Sequence, residues 1–182
     1  MRKNIATLIL VVIILYSFIG RSLQIKKQIG DTIHLDLFWG VVSKYVDEQD
    51  SMIHNDGELA AVIRVHSMTE ESVVQQIEKS IVWERFPLPE ELCEVTYDYK
   101  LTKSFQSSFA EVMYMPNIEN GYWCFLDLDE HRNDRILYGK EAVQDMIWPE
   151  GQEHFYLDYP GEFVIAIYDL DHHKLYYFYR TI

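Results

Sequence analysis

The longest uninterrupted apolar segment lies near the N-terminus, where 17 uncharged residues separate Lys3 from Arg21. A helix of that length spans about 26 Å, which is at the short end of what a bilayer core of about 30 Å requires. Small residues suited to signal-peptide cleavage are scarce, because the nearest small-x-small triplet, 20–22, has an arginine in its middle. We therefore expect residues 4–20 to form a retained transmembrane helix, with a cleaved signal peptide as the alternative.

Farther along the chain, alternating and continuous apolar runs predict strands. A first strand is expected at 34–40 and a second at 58–66. The segments 163–168 and 175–179 predict a hairpin, and the continuous apolar character of 163–168 is typical of a strand buried on both faces. Together with a strand at 122–128, these runs predict an antiparallel sheet in which 122–128 and 163–168 are central.

Helical spacing of apolar residues occurs in three places. Ser67 and Glu70 have the spacing of a capping box, and Val73 and Ile77 follow on one helical face. Weaker helical patterns lie at 105–113 and 143–147. The predicted fold class is α+β, an antiparallel sheet with helices packed on one side, preceded by the transmembrane helix. The predicted division is an anchor at 1–27 and one domain at 28–182.

Charge is distributed unevenly between these two parts. All 29 acidic residues, but only 11 of the 16 basic ones, lie from residue 28 onward, so the domain has a net charge of −18. A domain this acidic repels phosphate backbones, which excludes nucleic acid as a partner. The basic residues on the two flanks of residues 4–20 are nearly balanced. We expect the N-terminus to lie inside and the domain to lie outside the cell membrane, because a short N-terminal tail is rarely translocated.

Two similar strand ends offer the most plausible site chemistry. Each has two aspartates two residues apart, followed by histidine: Asp127 and Asp129 before His131, and Asp169 and Asp171 before His172 and His173. If the two strands are neighbours, the four carboxylates can converge on a metal ion. The competing interpretation is that aspartate ends a strand because its side chain binds the backbone of the following turn, and we favour it.

Other candidates carry less chemistry. The segment 83–89, which contains Trp83 and two prolines, is either a recognition surface or an aromatic contact that fixes a helix end to the core. Cys93 and Cys124 are compatible with a disulfide or with two free thiols. The chain has no nucleophile-elbow, Walker, dinucleotide-binding, zinc-protease or Cys-x-x-Cys motif. We therefore expect no catalytic residues and no cofactor.

Several segments together carry a resemblance to a known group of proteins. They are His54-Asn-Asp-Gly-Glu58, then Trp83 with Phe86-Pro-Leu-Pro89, then 120–127, 163–171 and 175–177. In this order they resemble a family of small, uncharacterised proteins of Gram-positive bacteria, which often begin with one hydrophobic segment. The resemblance covers most of 34–182 and departs from the usual pattern at 131–161. It implies one folded unit behind a membrane segment, and it implies no activity.

These observations predict a single-pass membrane protein that displays an acidic binding module. Its partners are the bilayer, through residues 4–20, and another protein. Two alternatives stay open. In one, the domain is an immunity-type protein that neutralises a basic toxin; in the other, it is a metal-dependent hydrolase that uses the four aspartates.

Overall fold

The sheet and its helices are seen in a computed structural model, which describes residues 2–47, 57–96, 113–129, 135–146 and 161–181. The elements are, in chain order, α1 (Arg2–Ile33), β1 (Val41–Asp47), β2 (Gly57–Arg64), α2 (Ser67–Lys79), β3 (Trp83–Arg85), α3 (Glu90–Thr96), β4 (Gly121–Asp127), β5 (Leu137–Tyr138), α4 (Gly139–Asp145), β6 (Glu162–Asp169) and β7 (Lys174–Thr181).

Within the described residues, seven strands form one antiparallel sheet, as the sequence predicts. The order is β1-β2-β7-β6-β4-β3, and β5 pairs with the same edge of β4 as β3 does, at the other end of that strand. The hairpin of β6 and β7 and the strand β4 are confirmed. Ile165 and Ile167 lie on one face of β6, and both are fully buried.

Helices cover both faces of the sheet, so the prediction that they lie on one side is wrong. The end of α1 and the helix α2 pack on the face that includes Val164 and Tyr168. The helices α3 and α4 pack on the face that includes Ile165 and Ile167. A strand that is apolar at every position needs an apolar layer on both sides, and this is the arrangement that buries β6.

The helix α1 enters the domain and forms part of its core. Ile25, Ile29 and Ile33 recur every four residues and are buried against the sheet. The predicted boundary between residues 27 and 28 falls inside this helix, and Ile25 already belongs to the core of the domain. The domain and the N-terminal segment are therefore joined by helix rather than by a linker.

The prediction of a strand at 34–40 is wrong, because this segment is the loop that follows the end of α1. His34 adopts a left-handed backbone conformation (φ 58°), and the amide of Leu35 donates to the carbonyl of Gly30 at 2.9 Å. This is the Schellman pattern of helix termination. Leu35 and Leu37 are buried, so they alternate with polar residues as strand residues do, although the first strand begins at Val41.

The helix α2 is confirmed, but its predicted capping box is not the cap observed. The N-cap is His66, whose Nδ1 accepts a hydrogen bond from the amide of Met68. The short helix predicted at 143–147 corresponds to α4, which begins at Gly139. The helix predicted at 105–113 lies outside the described residues except for Met113.

Among the residues whose side chains the structure describes, no helix combines the length and the apolar character needed to cross a membrane. The transmembrane helix expected at residues 4–20 is therefore not supported by the structure, and it stays a prediction.

Candidate functional site

The predicted carboxylate pair Asp169 and Asp171 begins at the end of β6 and organises the turn to β7. Asp169 is buried, and its Oδ1 accepts hydrogen bonds from the amides of Asp171 at 3.0 Å and His172 at 3.1 Å. Its Oδ2 lies 2.7 Å from Nδ1 of His172. The carboxylate therefore bonds the backbone and the imidazole of the turn that follows it, as aspartate does at many strand ends.

The second pair repeats this arrangement at the end of β4. Asp127 is buried, and its Oδ1 accepts from the amide of Asp129 at 3.0 Å. The Oδ2 of Asp129 accepts from the amide of Gly161 at 3.0 Å, which ties the end of β4 to the start of β6. A Cβ at position 161 would stand 3.0 Å from this oxygen, so glycine suits the close approach.

The structure does not bring the two pairs together. The strands β4 and β6 are neighbours but antiparallel, so that Asp169 lies opposite Gly121 and Asp127 lies opposite Phe163. Six residues of strand separate the two ends, which corresponds to about 20 Å. The described residues contain no group of three or more histidine, cysteine or acidic side chains arranged to hold a metal ion. His131 lies outside the described residues.

The turn after β6 is instead held by polar contacts to its neighbours. Nδ1 of His173 lies 2.7 Å from Oε1 of Glu70 in the first turn of α2, and the carbonyl of His173 accepts from the amide of Val65. Asp171 accepts from the side-chain amide of Asn120 at 2.9 Å, and Asn120 accepts from Arg85 at 2.8 Å. These contacts give the turn a fixed shape at one end of the sheet.

The remaining sequence candidates are explained by packing. Trp83 is buried, and its indole Nε1 donates to the carbonyl of Ile33 at 2.9 Å, which fixes the end of α1. Cys124 is buried in β4, and burial raises the pKa of its thiol, which makes it a poor nucleophile. Cys93 and Cys124 are both free thiols, so the disulfide is not formed.

One surface feature lies in a segment that the sequence pattern assigned to a strand. Phe38 and Trp39 are 55% and 68% exposed, although they belong to a loop whose other side is buried. The ammonium of Lys26 donates to the carbonyl oxygens of Phe38 at 2.5 Å and Gly40 at 2.8 Å. Two adjacent aromatics in the sequence are the only signal of this surface, and alternation does not distinguish a strand from a braced loop.

Comparison with protein-family models, with curated proteins and with solved structures finds no match to this chain. The resemblance to small Gram-positive proteins with one hydrophobic segment therefore stays a prediction.

Proposed function

We propose that this chain is a single-pass membrane protein that displays an acidic α+β domain as a binding module. The observation that carries the proposal is the continuity of α1. The helix runs from Arg2 to Ile33, and Ile25, Ile29 and Ile33 at its end are packed in the core. Residues 4–20 carry no charge. A bilayer that holds this segment would therefore hold the whole domain at a fixed height, without a flexible linker.

Binding is proposed rather than catalysis because the candidate carboxylates already have structural roles. Asp127 and Asp169 bond the amides of their own turns, and antiparallel pairing separates them. The alternative of a hydrolase that uses all four aspartates has no observation in its favour. The net charge of −18 from residue 28 onward favours a basic protein partner, and a basic toxin, as in the immunity-type alternative, belongs to this class.

Divalent metal ions separate the binding proposal from the hydrolase alternative. A metal that binds the folded state raises its melting temperature in a saturable way. We expect no saturable shift with calcium, magnesium, manganese or zinc. A saturable shift that is abolished by combining Asp127→Asn with Asp169→Asn would favour the hydrolase and contradict the proposal.

Membrane attachment is tested by alkaline carbonate extraction of membranes from cells that express the full chain. We expect the protein to stay in the membrane pellet. The pair Leu10→Lys and Ile13→Lys places two charges in the apolar segment, each costing about 2.5–3.5 kcal/mol at a helix centre, and should release the protein. The matched control is Gln24→Lys with Gln28→Lys, which adds the same charge at exposed positions of α1.

The control pair should leave the protein in the pellet. Release of the unchanged chain by carbonate would refute the anchor. The proposed orientation, with the domain outside, is tested by adding protease to intact cells stripped of their wall. Digestion of the domain is expected, and complete protection would reverse the orientation.

A further inference from the structure

The surface where α1 enters the domain combines exposed apolar side chains with the exposed side chain of Arg21. Ile19 and Leu23 are exposed, and with Lys26 they follow one stripe of α1 at spacings of four and three residues. The ammonium of Lys26 joins this stripe to the loop of Phe38 and Trp39. Lys26 itself is buried, and we call the surface formed by Leu23, Phe38 and Trp39 the juxtamembrane face.

The two aromatics are displayed by a rigid loop. The amide of Phe38 donates to Asp36, and the amide of Asp36 donates to the side chain of Gln76 in α2. The two aromatic rings are 4.9 Å apart and perpendicular. Gly40 closes the loop where no side chain fits, because a Cβ there would stand 2.5 Å from Ile63. The exposure of both rings is thus built into the fold, and little conformational entropy is lost when they bind.

Basic side chains accompany aromatic rings at this junction. The ammonium of Lys26 lies 5.8 Å from the centroid of Phe38, and the guanidinium of Arg21 lies 5.9 Å from the centroid of Tyr45. Lys26 is buried and Arg21 is exposed, so Arg21 is the one of the two that lipid can reach. Aromatic rings with an exposed arginine beside them favour the headgroup layer of a bilayer. Asp36 and Asp47 also lie at this junction, beside Phe38 and Tyr45. The surface therefore suits the headgroup layer through its aromatic rings and Arg21 rather than through a net positive charge.

The height of the face along α1 matches this layer. Residues 4–20 span about 26 Å, about 4 Å less than a typical hydrocarbon core. Such a deficit is met by flanking residues. At the domain end of this segment, Leu23 is apolar and exposed and can extend the apolar span. At the other end, the charged Arg2 and Lys3 follow directly. With the hydrocarbon boundary near Leu23, Lys26 lies about 4.5 Å farther along the helix, within a headgroup layer of about 5–7 Å per leaflet.

We propose that the juxtamembrane face binds the headgroup layer of the bilayer that holds α1, with Trp39 inserted among the lipids. This inference rests on the proposed membrane anchor. It adds that the domain lies against the membrane in one orientation, with the juxtamembrane face covered by lipid and unavailable to a protein partner.

The test uses the full chain in vesicles of phosphatidylcholine and phosphatidylglycerol that contain a lipid with a spin label on its headgroup. A spin label quenches the fluorescence of tryptophan near it. We expect stronger quenching of the unchanged chain than of Trp39→Phe. Trp83 and Trp123 are buried, and the fourth tryptophan, Trp148, is common to both proteins, so the difference in quenching between them reports Trp39.

The control moves the fluorophore to another exposed position. Combining Trp39→Phe with Ile81→Trp places a tryptophan where Ile81 is 70% exposed, next to the strand that contacts Ile33. Ile33 lies 13 residues beyond Gly20, about 20 Å along the helix. We expect this tryptophan to be quenched much less than Trp39. Equal quenching at both positions, or equal quenching of the unchanged chain and Trp39→Phe, would overturn the inference.

Flotation of the same vesicles separates the two proposals. If the protein floats with the lipid and Trp39 is not quenched, the anchor is retained and the juxtamembrane face does not bind lipid. If the protein does not float, the anchor itself is wrong, and the inference falls with it.

Discussion

At the scale of the residue, a buried aspartate at a strand end has a structural role that the protein uses twice. Asp169 and Asp127 each accept a hydrogen bond from the amide two residues later, and both are buried. Removing such a carboxylate, or leaving it buried without these hydrogen bonds, lowers the free energy of unfolding by about 1–3 kcal/mol. The turn geometry therefore depends on the first aspartate of each pair.

Asp169→Ala should lower the free energy of unfolding by about 1–3 kcal/mol, because it removes the acceptor of two amides and the partner of His172. The matched change Asp171→Ala removes one exposed hydrogen bond, from Asn120, and should cost less, about 0.5 kcal/mol. Denaturant unfolding of the two variants measures both values. Equal losses would show that the buried carboxylate does not organise the turn.

Two tyrosines with raised pKa values should make the free energy of unfolding depend on pH in the alkaline range. Burial, followed by a hydrogen bond to a carboxylate, raises the pKa of Tyr45 and of Tyr179 from 10 to about 12; the carboxylates belong to Asp47 and Glu162. Between pH 10 and about 12, both phenols therefore stay protonated in the folded protein, whereas they ionise in the unfolded chain.

Stability from these two groups is therefore complete below pH 10 and is lost as the pH rises toward 12. Tyr179→Phe should make the free energy of unfolding less dependent on pH in that range, because one such group is removed. Denaturant unfolding at a series of pH values tests this. An unchanged pH dependence would show that Tyr179 ionises alike in both states.

At the scale of the element, the sequence correctly predicts those strands and helices in which the burial pattern of the side chains matches the backbone conformation. The strands β2, β4, β6 and β7 and the helix α2 were found close to their predicted positions. Alternation predicts a strand at 34–40 because it reports only which side chains are buried. The loop after the Schellman end buries Leu35 and Leu37 with the same two-residue spacing. The three-residue strand β3 is too short for any periodicity to reveal.

The candidate metal site can be predicted from the sequence only in part. The sequence shows the two aspartate pairs and indicates their alternative role in turns. Whether they converge depends on the direction in which neighbouring strands run, and the antiparallel register of β4 and β6 separates them. That register depends on the pairing of strands across the whole sheet, so it cannot be predicted from the residues at either strand end.

The central strand β6 should be sensitive to truncation. Ile167 is fully buried and lies opposite Trp123 on one side and Tyr176 on the other. Ile167→Ala should cost about 2–5 kcal/mol, the range for a packed core position. Ile81→Ala, at an exposed isoleucine, should cost less than about 0.5 kcal/mol in the same unfolding measurement. A loss that small at Ile167 would contradict the assigned core.

The connection between α1 and β1 should depend on one buried lysine. Lys26→Met removes the donor to the carbonyl oxygens of Phe38 and Gly40 and leaves the latter buried without this partner. A loss of about 1–3 kcal/mol is expected. The neighbouring change Lys27→Met removes the same charge at an exposed position and should have little effect on unfolding. Equal effects would show that Lys26 acts only through its charge.

At the scale of the whole molecule, the proposed function requires that α1 be shared between a membrane and the domain. The residues after Gly20 change from an apolar segment to a helix that contributes isoleucines to the core, within about two turns. The sheet carries helices on both faces, so the apolar surface of β6 is covered within the domain. Under the proposed anchor, the bilayer would hold this acidic domain close to its surface.

The most direct measurement of this account is the N-terminal sequence of the protein extracted from membranes of cells that express the full chain. If residues 4–20 are a retained anchor, the sequence begins at or near Met1, and the protein remains with the lipid. A mature N-terminus near Leu23 would show that the apolar segment is a cleaved signal. In that case the mature protein would keep only the part of α1 that packs against the sheet, and the proposed membrane anchor would be wrong.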